Sequence, residues 1–309
     1  MKAADILDTA RWRRWADWVI EPVISWIGHR GSASAASIAF YTAFSLSPTL
    51  VIVIAVASFF YGADAIQGKL FDEISGVVGT QAAATIQAMV ANARHAHVAA
   101  GTALISLAAV LIGASATFSS LNTALNIIWP IEVHLKPTQN ILSLVRLRLL
   151  SFGLVVGVGF LVVILQVLDT VVTILGQWVW GETSVSYALA NGAQHLVSVA
   201  VLIGAFSALL KFLPDAHMDW RDSTIGAVAA TLMFGAGKNL FSMYLAHAGT
   251  ANMFGAAGSL AVILMWLYYS SAVFLLGAEV AAFGGKRRLL AQGKPVPGAP
   301  SVRRGTQQG

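Results

Sequence analysis

The chain has 309 residues, of which 57% are hydrophobic and 11% are charged, and its formal net charge is +5. Because a typical soluble domain carries about 25% charged residues, this composition excludes an ordinary water-soluble protein and indicates a membrane protein. The sequence has no cysteine, which excludes disulfides, thiol catalysis and Cys-ligated metal centres.

The basic residues of the chain collect at its two ends. Arg11, Arg13 and Arg14 lie near the start, and further basic residues lie at 286–288 and 303–304. Basic residues that flank apolar segments mark the cytoplasmic side of a membrane and contact anionic lipid headgroups. We therefore predict contacts with membrane lipids and none with nucleic acid.

Tryptophan, arginine and aliphatic residues alternate over positions 9–28. This composition is typical of an amphipathic helix that lies in the headgroup region of a membrane. Pro22 is expected to kink or restart that helix. We assign residues 1–30 to an N-terminal cytoplasmic or interfacial helix, and its apolar run comes too late for a cleavable signal peptide.

Runs without Asp, Glu, Lys or Arg mark the membrane spans, each of which needs about 20 mainly apolar residues. The run 239–278 is too long for one helix, and its Gly, Thr and Asn residues at 249–252 predict a turn within it. The predicted fold is an all-α polytopic membrane domain over residues 31–285. Its six transmembrane helices are placed at about 34–62, 99–121, 147–176, 184–211, 223–246 and 255–284.

The segments between the spans predict the orientation of the domain. Basic loops alternate with weakly charged ones, so both termini are expected in the cytoplasm of a bacterial cell with the chain in its inner membrane. The weak point is the loop 212–222, in which three aspartates outnumber Arg221. Residues 64–93 predict two short amphipathic helices on the outer side, and residues 286–309 predict a basic disordered tail.

Four stretches resemble the YihY/BrkB family of bacterial inner-membrane proteins, once mislabelled as ribonuclease BN. The resemblance covers about residues 30–285 and implies a six-helix fold in the plasma membrane. Members of the family are described as virulence-related or as candidate transporters, including transporters of lipid-like molecules. The stretches are Ile38 to Pro48, Leu121 to Trp129, Leu213 to Ala227, and Phe254 to Glu279.

Ionisable side chains within the predicted spans are candidates for function, because burying a charge in a membrane is costly. Asp169 and Lys238 both fall toward the outer leaflet, so the two side chains are within reach of an ion pair. The alternatives are an Asp169 that lies in water at the outer boundary and a Lys238 that extends to the headgroups.

His195 and Glu279 are the other two ionisable candidates within the spans. His195 lies near mid-depth and is either a proton relay or a neutral histidine bonded to a neighbouring helix. Glu279 lies near the inner surface, where it is either functional or paired with a basic residue that anchors the helix end. The basic residues within reach are Lys286, Arg287 and Arg30.

Four further residues are predicted to line a cavity. Pro48 interrupts the first span and frees a backbone carbonyl, which is either a cavity feature or an ordinary packing kink. Tyr41, Asn122 and Asn126 are the polar residues that we expect beside it. Small residues such as Gly157 and Gly235 are expected to serve helix packing.

We predict that the chain is not an enzyme. His95 and His97 form the only close histidine pair, which cannot complete a catalytic zinc site, and no phosphate-binding loop is present. We predict no catalytic residue, metal or cofactor. The leading hypothesis is an ATP-independent transporter or translocator of a lipid-like or amphiphilic substrate, and the alternative is a non-transporting scaffold or regulator of cell-envelope proteins. The sequence assigns no oligomeric state.

Overall fold

The computed structural model describes residues 3–61, 68, 71–72, 74–75, 78–96, 100–130, 184–216, 218–248 and 255–294. Within these ranges the chain forms helices and no strand, which confirms the all-α fold class for this part of the protein. The helices are α1 Ala3–Gly28, α2 Gly31–Tyr61, α3 Thr80–Ala96, α4 Ala100–Ile128, α5 Ser184–Phe212, α6 Trp220–Ala248 and α7 Gly255–Ala291.

One described segment, Gly258–Ala291 in α7, is long and apolar enough by itself to cross a membrane, and Leu196–Phe212 in α5 is a shorter apolar helix. The predicted third span, 147–176, and most of the predicted tail lie outside the described residues. The six-span topology therefore stays a prediction.

Helices α4 and α7 extend beyond the predicted ends of their spans. Helix α4 continues to Ile128, because Leu125 and Ile128 keep an apolar face that is buried. Helix α7 continues to Ala291, so Arg288 lies in its last turn. A cation is stabilised there by the negative end of the helix dipole. Helix α1 runs through Pro22 without restarting.

The chain divides into two compact units. The first unit comprises residues 1–25, 125–231 and 277–309, and the second comprises residues 26–124 and 232–276.

The apolar core of the second unit joins α3 to parts of α6 and α7. Gly79 precedes α3 with a positive φ of 83°, a conformation that glycine adopts without strain and that lets the chain turn into the helix. The turn places one face of α3 in the core. The buried members of this core are Val78, Ala82, Ile86, Phe241, Val262 and Ile263.

In the first unit, α6 and α7 approach each other closely along a face of small residues. A Cβ added at Gly277 would lie 2.7 Å from the Cβ of Ala230 and 2.8 Å from the carbonyl oxygen of Gly226. A Cβ at Gly226 would likewise collide with the backbone of Gly277 and with Ala281. The close approach therefore requires glycine at both positions, a packing mode that is typical of helices in membranes.

Helix α1 presents three different arcs from residue 16 onward. Trp18 packs edge-on against Phe283 at 5.2 Å between ring centroids, and Pro22 is fully buried. A second arc of aliphatic side chains is exposed, and a narrow third arc carries the exposed Asp17 and Glu21. A helix at a membrane surface has three such sides, which contact the protein, the lipid and the water. The exposed aliphatic residues are Val19, Ile20, Val23, Ile24 and Ile27.

Gly277→Val should destabilise the protein by about 1–3 kcal/mol, because the branched side chain has no space between α6 and α7. The matched control is Gly235→Ala, since no atom of the described residues lies within 4 Å of the position that its Cβ would take, in contrast to the packing role expected from the sequence. The control should be neutral or should stabilise the helix by up to about 1 kcal/mol. Thermal unfolding of both purified variants checks this, and equal effects would refute the close approach.

A cysteine at Ile24, labelled with an environment-sensitive fluorophore, should lie among lipid acyl chains. The label should be quenched by spin-labelled lipids in vesicles, because Ile24 belongs to the exposed aliphatic arc of α1. The control is a label at Glu21, three residues away on the water-facing arc, which those lipids should quench far less. Equal quenching at the two positions would contradict the interfacial placement of α1.

Candidate functional site

The structure places five of the eight residues that the sequence singles out. Tyr41 and Lys238 are exposed, on α2 and α6. Asn122 and Asn126 lie on α4, each partly buried, and Glu279 is buried on α7 at 2% exposure. Pro48 and His195 have helical backbones in α2 and α5, and their side chains are outside the described part, as is all of Asp169. The predicted Asp169–Lys238 pair therefore stays a prediction.

Asn126 holds the turn that follows α5. Its amide nitrogen donates to the Asp215 carboxylate at 2.7 Å, and its amide oxygen accepts from the Asp215 backbone N–H at 3.0 Å. The reciprocal pair ties the end of α4 to the turn 213–216, which supports a structural role for Asn126. Burial of Leu213 and Pro214 in the same turn adds packing to these polar contacts.

An ionic cluster joins the start of α6 to the end of α7. The guanidinium of Arg288 is paired with Asp219 and, at 2.8 Å, with Asp222. The side chain of Asp222 is 6% exposed, whereas that of Asp219 is 67% exposed. The cluster thus has one buried and one solvent-facing carboxylate that share a single cation.

Burial is the main influence on Asp222 and raises the pKa of its carboxyl above the ordinary value of 3.8. The charge of Arg288 lowers that pKa, and the neighbouring charge of Asp219 raises it. Two buried polar atoms beside the cluster, the Ser223 hydroxyl and the Arg288 Nε, have no hydrogen-bond partner within the described structure. The folded environment of Asp222 therefore favours the protonated carboxyl more than an aqueous environment does.

Glu279 lies two turns before this cluster on α7 and is engaged in a polar or electrostatic interaction. Two of the basic residues near the end of the helix have contacts of their own. Arg288 pairs with the two aspartates, and the guanidinium of Arg287 lies 5.3 Å from the ring centroid of Phe283. A carboxylate this deeply buried in an apolar helix is a candidate for function.

Lys211 lies in an aromatic and cationic cluster at the end of α5. Its ammonium group donates to the backbone carbonyl of Met218 at 3.0 Å and lies 5.0 Å from the ring centroid of Trp220. The ring of Phe212 packs edge-on against Trp220, and both rings are about half exposed. This geometry holds one positive charge in place at the surface.

In the second unit, α2 and α4 meet along a seam of hydroxyl groups. The hydroxyls of Ser37 and Ser120 are hydrogen-bonded at 3.1 Å. Ser45 is buried and donates to its own helix, and a Cβ added at Gly113 would lie 3.2 Å from the Cβ of Ser45. Thr117 donates to the Gly113 carbonyl at 3.0 Å. The seam is narrow and polar within otherwise apolar helices.

Exposed aromatic residues border this seam on α2. The rings of Phe40 and Phe44 lie one helical turn apart with centroids 4.8 Å from each other, and Tyr41 packs against Phe40 at 5.7 Å. All three side chains are exposed. Of these three residues, only Tyr41 was predicted from the sequence, because it is polar. Phe40 and Phe44 carry no polar group that would mark them as candidates.

Neither the ionic cluster nor the lysine cluster was predicted from the sequence. The acidic start of α6 and the basic end of α7 were visible in the sequence, and each is typical of a helix terminus. Nothing in the sequence alone shows that Asp222 and Arg288, 66 positions apart, are paired.

The described residues are all-α, and they include an apolar helix long enough to cross a bilayer with the buried Glu279 on it. These features are typical of an integral membrane protein. The comparisons with known proteins agree with this class. The profile of the family described as Virulence factor BrkB matches residues 25–301, so the chain belongs to the BrkB family.

Bacterial proteins named "UPF0761 membrane protein" are similar to this chain. The one from Azotobacter vinelandii is 28% identical over 265 residues, which are 82% of this chain and 60% of the relative. The one from Tolumonas auensis is 34% identical over 117 residues, or 38% of each protein. The matched region therefore spans less than two thirds of each of these relatives.

A ribonuclease-like protein of Bacillus subtilis, YfkH, is 24% identical over 274 residues, which are 86% of this chain and 94% of that protein. Its name supplies no nuclease activity here, and the described residues hold no group of three His, Cys, Asp or Glu that could bind a metal ion. No solved structure matches the chain.

Asp222→Asn should change how stability depends on pH. A carboxyl whose pKa is raised by folding gives its full contribution below the unfolded pKa and loses it as the pH rises through the folded pKa. The wild type should therefore gain stability relative to the variant as the pH falls from neutral toward 3.8.

Thermal unfolding of both proteins across this pH range measures the effect, with the exposed Asp17→Asn as the control for a lost negative charge. A difference between wild type and Asp222→Asn that stays constant with pH would refute the raised pKa of Asp222.

Proposed function

We propose that this chain is an ATP-independent translocator of a lipid-like, amphiphilic substrate in the bacterial plasma membrane. In this proposal six helices cross the membrane and both termini are cytoplasmic. The observation that carries it is the hydroxyl seam between α2 and α4 with its border of exposed aromatic rings.

The seam and its border match the two parts of an amphiphile. Serine hydroxyls can exchange their mutual hydrogen bond for one to a polar headgroup, as Ser37 and Ser120 are both only partly buried. The rings of Phe40, Tyr41 and Phe44 offer apolar surface to acyl chains immediately beside it. A headgroup could thus follow the polar seam while its chains stay in the bilayer.

The buried Glu279 is a second support for transport. Its carboxylate is 2% exposed on the helix that is most clearly able to cross a membrane. An apolar residue there would cost less, because ionisable groups within a bilayer are expensive. A protein that served only as a scaffold would gain nothing evident from a carboxylate at this place.

Contacts within each unit agree with the proposed orientation. In the first unit, Arg288 near the end of α7 meets Asp222 at the start of α6, and Asn126 at the end of α4 meets Asp215. All of these belong to segments for which the sequence predicts the cytoplasmic side. In the second unit, α3 packs against the predicted outer ends of α6 and α7, represented by Phe241 and Val262.

A scaffold or regulator of envelope proteins is the second candidate, and the position of Lys238 favours it. Its side chain is exposed instead of facing the described interior, and Leu240 and Met243 are exposed elsewhere around the same helix. An exposed lysine suits a partner or lipid headgroups more than a substrate cavity. The two candidates differ in whether the pure protein moves any lipid.

Purified full-length protein in phosphatidylethanolamine–phosphatidylglycerol vesicles should move fluorescent phosphatidylglycerol between leaflets. In protein-free vesicles, dithionite bleaches only the label in the outer leaflet. In vesicles with active protein it should bleach more, because label from the inner leaflet reaches the outer one. Ser37→Val should slow the movement about fivefold, because it removes one hydrogen-bonding group worth about 1 kcal/mol.

Ser32→Val is the matched control, since Ser32 lies on the same helix with an exposed side chain. It should leave the rate unchanged. Wild-type protein that moves no labelled lipid would contradict translocation and favour the scaffold. Equal slowing by the two variants would contradict the role given to the seam.

A further inference from the structure

Around the connection from α5 to α6, the acidic side chains have polar partners and the basic side chains have no acidic partner among the described residues. Its three aspartates are all engaged: Asp215 by Asn126, and Asp219 and Asp222 by Arg288. The two cations of the same stretch, Lys211 and Arg221, form no ion pair within the described part of the chain. The three aspartates thus have partners from other parts of the chain, whereas neither Lys211 nor Arg221 is paired with one of them.

Lys211 is held in a way that leaves it able to bind an anion. An ammonium group has three N–H donors, and the carbonyl of Met218 accepts one at 3.0 Å. The rings of Trp220 and Phe212, at 5.0 and 6.0 Å from the nitrogen, attract the cation without neutralising it. The lysine is therefore positioned in advance and keeps free donors.

The surroundings of Lys211 are those of a membrane surface. The apolar segment Leu196–Phe212 ends at this point, and the half-exposed Trp220 stands beside the exposed Arg221. Tryptophan with lysine or arginine is typical of the level of lipid headgroups. A soluble phosphate would have no use for the two exposed rings, whereas a phospholipid can cover them with its glycerol and upper acyl region.

We propose that Lys211, Trp220 and Arg221 form a binding site for the phosphate of an anionic phospholipid. The cations recognise the phosphate, and Trp220 with Phe212 contacts the apolar part of the same lipid. This site shares no residue with the seam of α2 and α4. It holds a resident lipid whether or not the protein translocates one.

Native mass spectrometry of the full-length protein tests the site through the retention of phosphatidylglycerol relative to phosphatidylcholine. The wild type should prefer phosphatidylglycerol. Lys211→Gln should lower that preference about fivefold, the effect of about 1 kcal/mol that one lysine contributes at an anionic surface. Lys211→Arg should restore most of it, because the charge is kept.

Lys294→Gln is the matched control, since Lys294 is an exposed lysine near the end of α7 and outside the aromatic cluster. It should leave the preference unchanged. Arg221→Gln, at an exposed side chain, should lower the preference without disturbing the Met218 contact, so the proposal is tested even if Lys211→Gln fails to fold.

Two results would overturn the proposal. Equal losses in Lys211→Gln and Lys294→Gln would mean that lipid is attracted by diffuse positive charge and not by a site. Displacement of phosphatidylglycerol from the wild type by millimolar inorganic phosphate would mean that the occupant is free phosphate and not a lipid.

Discussion

Arg288 extends from the last turn of α7 to two carboxylates at the start of α6, and on this contact the arrangement of the first unit depends. Inside a bilayer, apolar surface alone gives helices little reason to pair, because lipid tails are equally apolar. Pairing must come from close packing and polar contacts. The small-residue approach at Gly226 and Gly277 supplies the packing, and the ionic cluster fixes the alignment of the two helices.

The same contact resolves the charge conflict in the loop 212–222. Its three aspartates oppose a cytoplasmic assignment when charges are counted along the sequence. In the structure Arg288 pairs with two of them and offsets one negative charge, and Asn126 binds the third. With Lys211 at the end of α5 and the exposed Arg221 also counted, the three aspartates are matched by three cations. The charge of this region therefore no longer opposes the proposed orientation, and the two cations that form no ion pair with these aspartates can contact anionic lipids.

The helices could be predicted from the sequence better than the site. The charge-free runs coincide with α2, α5 and α6 to within a few residues, because a bilayer requires such runs. Helices α4 and α7 continue past the predicted ends of their spans, in α4 because the burial of Ile128 is not visible in the sequence. Which of these helices cross the membrane stays a prediction. The pairing partners escaped prediction because they depend on tertiary contacts. For Lys238 the sequence left two alternatives open, an inward ion pair and a side chain that extends to the headgroups, and its exposure agrees with the second.

The central claim is that the start of α6 and the end of α7 lie on the same, cytoplasmic side of the membrane. The chain has no cysteine, so Arg221→Cys, Gln292→Cys and Asp72→Cys each introduce a single thiol at an exposed position. Labelling in intact cells with a membrane-impermeant thiol reagent tests the claim directly. The account predicts that positions 221 and 292 react only after the membrane is permeabilised and that position 72 reacts in intact cells. Labelling of 221 without 292 in intact cells, or of 292 without 221, would contradict the pairing of α6 with α7.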